Sequence, residues 1–326
     1  MSMYWLLFIL PTLGVISPMR LNAAGQKWAW FLVGTFFAVF AGFRHEVGGD
    51  WFTYLEHFQR VSRLSFVEAM EIGDPGYYAV MWLVAEQDFS VHWSNFVSAC
   101  IVMIGIVVFA RNQPMPWLAL LVAVPYLIIV VGMGYTRQSV ALGFVLVGLS
   151  ALGQQRTRSF VVCVLVGAAF HKSAVLLLPI AALSAAKNRT WTFFWVTLTS
   201  IGGAYFFVAD DSEALIRNYI EAEYQSQGGA IRVVMNAVPS ALFLFWHRRM
   251  DIDERERKLW LWMSMFALAC VPLVMVLPST AVDRVALYFI PIQMYVFSRL
   301  HRIAKSTIGR TRVVVAVIRS EEHTSE

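Results

Sequence analysis

The sequence predicts an all-α integral membrane protein: a polytopic bundle of about 11 transmembrane helices with a re-entrant or interfacial segment on its outer face. Three observations predict this fold class. The composition is 58% hydrophobic and only 14% charged, with a mean hydropathy of +0.61, which is far more apolar than a soluble chain. Apolar runs recur along the whole length. Lys and Arg concentrate in alternate connecting segments, as they do in multi-pass proteins.

The apolar runs are the predicted helices, and several fall short of the roughly 20 residues that a full crossing needs. The two runs on either side of His171 are the shortest and are candidates for broken or re-entrant helices. The runs cover residues 3–19, 28–43, 92–110, 115–133, 137–153, 159–172, 174–186, 191–208, 232–247, 259–277 and 284–298.

The ends of the chain and its cysteines refine this prediction. The first run, Tyr4 to Ile16, lacks a basic segment before it and a small-residue cleavage site, so we interpret it as a retained helix rather than a signal peptide. The three cysteines, Cys100, Cys163 and Cys270, lie inside apolar runs and are expected to pack as small hydrophobic residues. Residues 319–326 differ in composition from everything before them and are set aside as a non-native tail, which leaves residues 1–318 as one membrane domain.

Charge predicts the orientation of the helices. One set of alternating segments holds 17 Lys and Arg against four acidic residues, and the positive-inside rule assigns it to the cytoplasm. The remainder, without the tail, holds eight Lys and Arg against 14 acidic residues. The cytoplasmic set consists of residues 20–27, 111–116, 154–158, 187–190, 248–258 and those beyond 299. Loops 43–91 and 209–231 are therefore predicted to lie outside the cytoplasm.

The outer loop 43–91 contains an amphipathic helix after a Gly48-Gly49 hinge. Apolar residues recur there at i, i+3, i+4 and i+7, which is typical of a helix lying along a membrane interface. They are Trp51, Tyr54, Leu55 and Phe58. Asp50 precedes them, where its side chain can cap free amides. Further on, residues 77–86 are too short to cross and predict a half-helix that enters from the outer face.

Arginines on the predicted outer side run against the positive-inside bias. Arg137 lies between two apolar runs with almost no loop, where a charge is costly. It is either a snorkelling cap at a tight turn or part of an anion site, because its planar fork matches phosphate oxygens. Arg284 has the adjacent Asp283, and Arg44 has Glu46 and Asp50, as alternative ion-pair partners. Arg232 is interpreted as a boundary arginine.

Candidate bases lie on the same side. His171 is either a core histidine or a proton-transfer group near neutral pH, and Asp50 is either a helix cap or a base. Asp74, in Asp74-Pro75-Gly76-Tyr77-Tyr78, begins a predicted helix, and the two tyrosines offer stacking faces to sugars. The sequence contains no nucleotide-binding loop, metal-ligand cluster or hydrolase elbow.

Several short motifs together resemble the EpsG family of membrane proteins, which are related to Wzy-type polysaccharide polymerases. They occur in the family's order over about residues 40–290, and Asp74 stands where the family usually has Glu. The motifs are Phe43-Arg44, Val47-Gly48-x-Asp50-x-x-x-Tyr54, Asp74-Pro75-Gly76-Tyr77, Arg137-Gln138-x-x-Ala141, Phe170-His171-x-Ser173-Ala174 and Arg284-x-x-x-Tyr288-Phe289.

The resemblance implies a location in the bacterial cytoplasmic membrane and polymerisation of polyprenyl-diphosphate-linked oligosaccharide on its outer face. We therefore expect substrate binding by five residues, namely Arg44, Arg137, Arg284, Asp74 and Tyr54. His171 or Asp50 is expected to act as the base, without a cofactor or metal. The expected partners are the lipid-linked glycan, the bilayer and other polysaccharide-assembly proteins, with no role for nucleic acid.

A transporter of lipid-linked or anionic glycan is the alternative function. Such a protein would use the same arginines for binding without chemistry. A transporter is expected to carry polar residues through the full membrane depth and often to contain internal repeats. The inner halves of the predicted helices are nearly free of charge and no repeat is evident, so the sequence favours the polymerase.

Overall fold

The regular elements in the described part of the chain are all helical, as the apolar periodicity predicts. The computed structural model describes residues 2–19, 21–184, 190–191, 194, 196–198, 200–202, 229–276, 279–304 and 306–324. Within these residues, five helices are long and apolar enough to cross a membrane: Val91–Arg111, Pro116–Gly134, Thr136–Gly153, Gly229–Trp246 and Glu254–Val276. The total of about 11 spans and the re-entrant segment stay predictions. The loop predicted at 209–231 lies almost wholly outside the described residues, as do Arg20 and residues 187–189.

Two compact units divide the chain. The first contains residues 1–147, 166–171 and 318–326, and the second contains residues 148–165 and 172–317. The prediction of one membrane domain over residues 1–318 stays a prediction, and so does the non-native origin of residues 319–326, part of which continues the last helix of the chain.

The first unit is built mainly from helices of the N-terminal half. Its elements, in chain order, are α1 (Ser2–Ile16), α2 (Ala23–Gly42), α3 (Trp51–Val61), α4 (Phe66–Met70), α5 (Pro75–Ala85), α6 (Val91–Arg111), α7 (Pro116–Gly134) and the first part of α8 (Thr136–Gly153). The end of α9 (Thr157–Phe170) also belongs to it. Helices α2 and α6 pack side by side, and Gly42 is needed where the backbone of α6 passes at Phe96. Small residues allow such close approach in membrane helices.

Helix α7 changes from α-helical to π-helical hydrogen bonding halfway along its length. Its first part is α-helical, but Val124–Val131 forms a π-helical segment before the final α-helical turn, Gly132–Gly134. Pro125 lies at the start of this segment and has no N–H to donate, so the regular hydrogen-bond ladder opens there. Such π segments occur frequently at functional sites. The chain then breaks at Tyr135 before α8 begins.

The second unit is centred on two long helices. A 3₁₀ segment (Lys172–Leu177) comes before its remaining helices. They are α10 (Leu178–Ser184), α11 (Gly229–Trp246), α12 (Glu254–Val276), α13 (Ser279–Ala286), α14 (Pro291–Phe297) and most of α15 (Thr307–Thr324), and the two central ones are α11 and α12. Helices α11 and α12 pack along each other. The side chain of Asn236 donates a hydrogen bond to the Ala286 carbonyl (2.7 Å) and accepts one from Gln293 (2.7 Å).

Two local predictions are wrong. The run at 284–298 is not one helix: α13 ends at Ala286, a 3₁₀ turn (Leu287–Phe289) follows, and α14 starts at Pro291, which cannot donate to a preceding turn. The amphipathic helix exists as α3, but its apolar face is not open to lipid. Trp51, Tyr54 and Phe58 are buried against the protein, and the helix packs on α5 and α6.

Candidate active site

The first unit gathers five of the seven predicted site residues at one end. Arg44 follows α2, Asp50 and Tyr54 lie at the start of α3, Asp74 precedes α5, and Arg137 lies in the first turn of α8. All the elements that carry them meet near the break between α7 and α8. The following contacts define this polar cluster.

An ion pair between Arg137 and Asp74 forms its centre. Nη1 of Arg137 donates to Oδ2 of Asp74 at 3.1 Å, with the arginine side chain one-third exposed and the carboxylate almost buried. Asp74 occupies the N-cap position of α5 but makes no capping hydrogen bond with its side chain. Its carboxylate is therefore directed to Arg137 rather than to the free amides of α5.

Three tyrosines surround this pair. Tyr54 lies within hydrogen-bonding reach of Arg137, and its ring centroid is 5.7 Å from that of Tyr77. Burial raises the pKa of Tyr54, and the positive charge of Arg137 opposes this shift in part. Burial also raises the pKa of Tyr77 well above its ordinary value. Both phenols are consequently neutral near pH 7 and can donate hydrogen bonds.

His57 and Tyr78 extend the cluster, and the sequence did not predict this histidine or its contact with Tyr78. Nδ1 of His57 lies 2.8 Å from the Tyr78 hydroxyl. His57 itself is one helical turn beyond Tyr54 in α3. Burial, followed by the charges of Arg137 and Arg60, lowers the pKa of His57. The spacing of Tyr54 and His57, three apart on a helix, was a signal that could have identified this histidine.

Arg44 is buried and links α2 to α8. Its Nη1 donates to the carbonyl of Ala41 (2.8 Å) and its Nη2 donates to Oγ1 of Thr136 (2.6 Å), while Nε has no hydrogen-bond partner. The alternative pairing with Glu46 or Asp50 is not present, because Glu46 instead lies 3.7 Å from His45. Burial lowers the pKa of Arg44. Arg44 thus holds Thr136, the residue immediately before Arg137.

Unpaired buried polar atoms mark the same region. The hydroxyl of Tyr77, like Nε of Arg44, is buried without a hydrogen-bond partner. Because proteins pair nearly all their buried polar groups, these two atoms are candidates for pairing with a ligand or a water molecule. The side chains of Arg44 and Tyr77 also interact electrostatically with each other.

A cavity of about 280 Å³ opens beside this cluster. It is lined by Val47, Gly48, Gly49 and Asp50 from the loop before α3, and by residues of α7 and the break after it, Ile129, Val130, Met133, Gly134 and Tyr135. Gly48 has a positive φ of 99° and passes close to the Met133 carbonyl, so a side chain would not fit there. Asp50 is half-buried at the cavity wall.

The predicted capping role of Asp50 is wrong. The side chain of Asp50 makes no hydrogen bond to the free amides of α3. A capping side chain usually needs an extended backbone, whereas Asp50 has φ −93° and ψ 7°. Its carboxylate is therefore not occupied at the helix end, and it remains a candidate base.

His171 directly follows α9 and is half-buried. Its amide donates to the Gly167 carbonyl (3.0 Å), and Gly167 itself packs near the Ala141 carbonyl of α8. The preceding residue, Phe170, packs against Gly76 at the start of α5. His171 therefore belongs to the first unit, which also holds Asp74.

Arg284 lies in the second unit, inside α13. Its predicted alternative partner, Asp283, pairs instead with Arg232: Nε and Nη2 of Arg232 donate to the two carboxylate oxygens of Asp283 at 2.7 and 2.6 Å. Arg232 is therefore a half-buried, bidentate partner rather than a simple boundary arginine. In the same unit Ser173 donates to the Tyr288 hydroxyl (3.2 Å).

Comparison with known proteins supports a family assignment. The family model described as the EpsG family matches residues 27–319, nearly the whole chain, and ends at the first residue of the compositionally distinct tail. Searches of curated proteins and of solved structures returned no match.

Proposed function

We propose, from the premise that the chain belongs to the EpsG family, that it transfers glycan from a polyprenyl diphosphate to the hydroxyl of an acceptor glycan. Family membership implies a Wzy-like polysaccharide polymerase in a membrane. The proposal adds a donor, a site and a mechanism. The donor is a lipid-linked oligosaccharide, and the acceptor is a second lipid-linked unit or the growing chain.

The arrangement around Arg137 is the observation that carries this proposal. A partly exposed guanidinium is oriented by the buried carboxylate of Asp74 and lies beside neutral tyrosine hydroxyls. Fixed positive charge in that position stabilises the negative charge that develops on a diphosphate leaving group. Arg44 supports Arg137 through Thr136 and adds a second positive charge within the same cluster. Arg284, in the second unit, is also proposed to contribute to substrate binding.

The chemical step needs a base for the acceptor. The acceptor hydroxyl oxygen forms a bond to the anomeric carbon as the bond from that carbon to the diphosphate oxygen breaks. The electron pair leaves with the polyprenyl diphosphate, and the hydroxyl proton passes to Asp50 or His171. Asp50 is the better supported base because it lines the cavity and has no capping role.

The cavity beside the π-helical segment is a suitable place for the acceptor. It is bounded by the Gly48-Gly49 loop and by the backbone just before Arg137. An acceptor sugar held there would have its hydroxyl beside Asp50. The diphosphate of the donor would lie beside Arg137. Arginine takes the role that a divalent cation has in other glycosyl transfers, so the reaction is proposed to proceed without metal and to continue in excess chelator.

The site is proposed to face the outside of the cytoplasmic membrane. The charge distribution supports this orientation, since 17 of the Lys and Arg lie in the segments assigned to the cytoplasm. Arg44 and Arg137 belong to the opposite set. Other polysaccharide-assembly proteins are proposed partners that supply the lipid-linked unit or accept the polymer.

Mass analysis of lipid-linked glycan in cells that lack the protein tests the function. A polymerase defect leaves single repeat units accumulating on the outer face, where an added impermeant glycosidase can reach them. A transporter defect leaves the glycan inside, protected from that enzyme. Accumulation inside would contradict the polymerase and favour transport. Re-expression of the wild-type chain should restore long polymer.

A further inference from the structure

A second cavity lies in the first unit, along the surface of α2 and α6. It is a groove of about 390 Å³ with mainly apolar lining residues, among them Phe31, Gly34, Cys100 and Ile104. Lys27 and Arg111 are the basic residues of its lining, and both lie at the same end of the helix pair. The groove therefore combines an apolar channel with one cationic end.

Small residues leave the groove open. A Cβ at Gly34 would meet only the Val107 side chain, at an ordinary contact distance of 3.5 Å. Phe31 and Ile104 are each 61% exposed on the described surface. The channel thus has room for an extended hydrocarbon chain. Such a chain would cover the exposed apolar side chains of its walls.

The cationic end has no carboxylate to neutralise it. No ion pair in the described residues involves Lys27 or Arg111, and both side chains are exposed. The sequence has no acidic residue before Glu46, and none between Asp88 and Asp210. Both helices are consequently free of acidic side chains, which favours a ligand with a negative charge at this end.

The groove is separate from the candidate active site. Lys27 lies 15 residues before Gly42, the end of α2 that leads to Arg44, which is roughly 22 Å at 1.5 Å per residue. A lipid with its phosphate at Lys27 therefore has its headgroup at the opposite end of α2 from Arg44 and Arg137. A donor whose diphosphate is at Arg137 would therefore place no phosphate at Lys27 and Arg111.

We propose that this groove binds one acyl chain of an anionic phospholipid whose headgroup contacts Lys27 and Arg111. The proposal is independent of the polymerase function. Each basic residue near an anionic headgroup is expected to favour binding by a factor of about five. The selectivity for anionic over zwitterionic lipid should therefore depend on both residues.

Photocrosslinking of the full chain tests this proposal. The protein is placed in phosphatidylcholine nanodiscs that contain a trace of phosphatidylglycerol with a diazirine in its acyl chain, or of the matching phosphatidylcholine probe. Crosslinked peptides are then identified by mass spectrometry. We expect the phosphatidylglycerol probe to label the peptides of Phe31 and Ile104 at least about fivefold more than the phosphatidylcholine probe does.

Three variants make the test specific. The double variant Lys27→Gln, Arg111→Gln should bring the ratio of labelling by the two probes close to one, while keeping the apolar walls. Gly34→Leu should lower labelling by both probes, because it fills the channel. The control Arg156→Gln, Arg158→Gln removes two exposed arginines of the second unit and should leave labelling of the groove unchanged.

Several results would overturn the proposal. Equal labelling by the two probes, or an equal loss of selectivity in the control variant, would show that the groove does not recognise the headgroup. Stronger competition by polyprenyl phosphate than by unlabelled phosphatidylglycerol would assign the groove to an isoprenoid chain instead. If Gly34→Leu fails to insert, the Lys27 and Arg111 variant decides alone.

Discussion

Nη1 of Arg137 lies 3.1 Å from Oδ2 of Asp74, although 63 positions separate the two residues. The pair joins the start of α8 to the start of α5. Its carboxylate is almost buried and its guanidinium is one-third exposed, so one partner orients the other toward solvent-accessible space. The proposed diphosphate contact would therefore use a guanidinium that is already oriented before the substrate binds.

Asp74→Asn is expected to reduce polymer formation at least about tenfold per correctly inserted molecule. The amide keeps the size of the carboxylate but loses the charge-assisted hydrogen bond, which is typically worth about 1.5–3 kcal/mol. Asp74→Glu is the matched control, because it keeps the charge and is the residue that the EpsG resemblance leads one to expect. Radiolabelled polymer, normalised to inserted protein, is the measurement. Equal loss in both variants would contradict an orienting role for the charge.

Asp50→Asn is expected to lower the rate about 10²- to 10⁴-fold without changing thermal stability. The carboxylate caps no amide of α3, so its neutralisation should not affect the helix. Unfolding in detergent and the rate of polymer formation are measured together. If Asp50→Asn stays active and His171→Gln does not, the base is His171. A fall in the melting temperature of Asp50→Asn would indicate a structural role.

Gly48→Ala is expected to destabilise the loop by about 1–3 kcal/mol, whereas Gly49→Ala should have little effect. Gly48 has φ 99°, and a Cβ there would lie 2.6 Å from the Met133 carbonyl oxygen. A Cβ added at Gly49 would have no other atom within 4 Å, and Gly49 has no positive φ. Thermal unfolding of the two variants, measured in the same detergent, makes the comparison. Equal melting temperatures would contradict the strained loop at the cavity wall.

The lowered pKa of His57 predicts a dependence of stability on pH. The unfolded chain binds a proton at His57 at a higher pH than the folded chain does, so this residue lowers stability as pH falls below about 6.5. Above that pH its contribution is constant. His57→Gln should therefore show a smaller loss of melting temperature between about pH 7 and pH 5 than the wild type. An identical pH dependence of the two proteins would contradict this assignment.

The sequence predicted the helices well because each depends on a local pattern. The apolar run at 92–110 became α6, and the alternation around Tyr54 became α3. The break inside 284–298 was missed because apolar periodicity carries no information about the hydrogen bonds that Pro291 removes. The burial of the apolar face of α3 was also missed. The same spacing of apolar residues occurs whether a helix packs against lipid or against protein.

The site was predicted as a set of residues but not as a set of contacts. Arg137 and Asp74 were both named, yet their pairing depends on how α5 and α8 pack, which no local spacing encodes. For the same reason the sequence offered only the neighbouring Arg284 as a partner of Asp283, whereas the structure shows Asp283 paired with Arg232, 51 positions away. Capping was one of two alternatives for Asp50, and its position before α3 fits that role. Its backbone dihedrals do not fit, and they could not be predicted from the sequence.

The role of Arg137 is tested most directly by Arg137→Lys, with polymer formed per correctly inserted molecule as the measurement. Lysine keeps the charge and a long stem but loses the planar fork. A diphosphate contact would lose at least one charge-assisted hydrogen bond, which predicts a roughly ten- to hundredfold fall in rate. Arg299→Lys, which alters another buried arginine paired with Glu256, should keep its rate. Near-normal polymer from Arg137→Lys would contradict the account and leave Arg137 as a snorkelling cap.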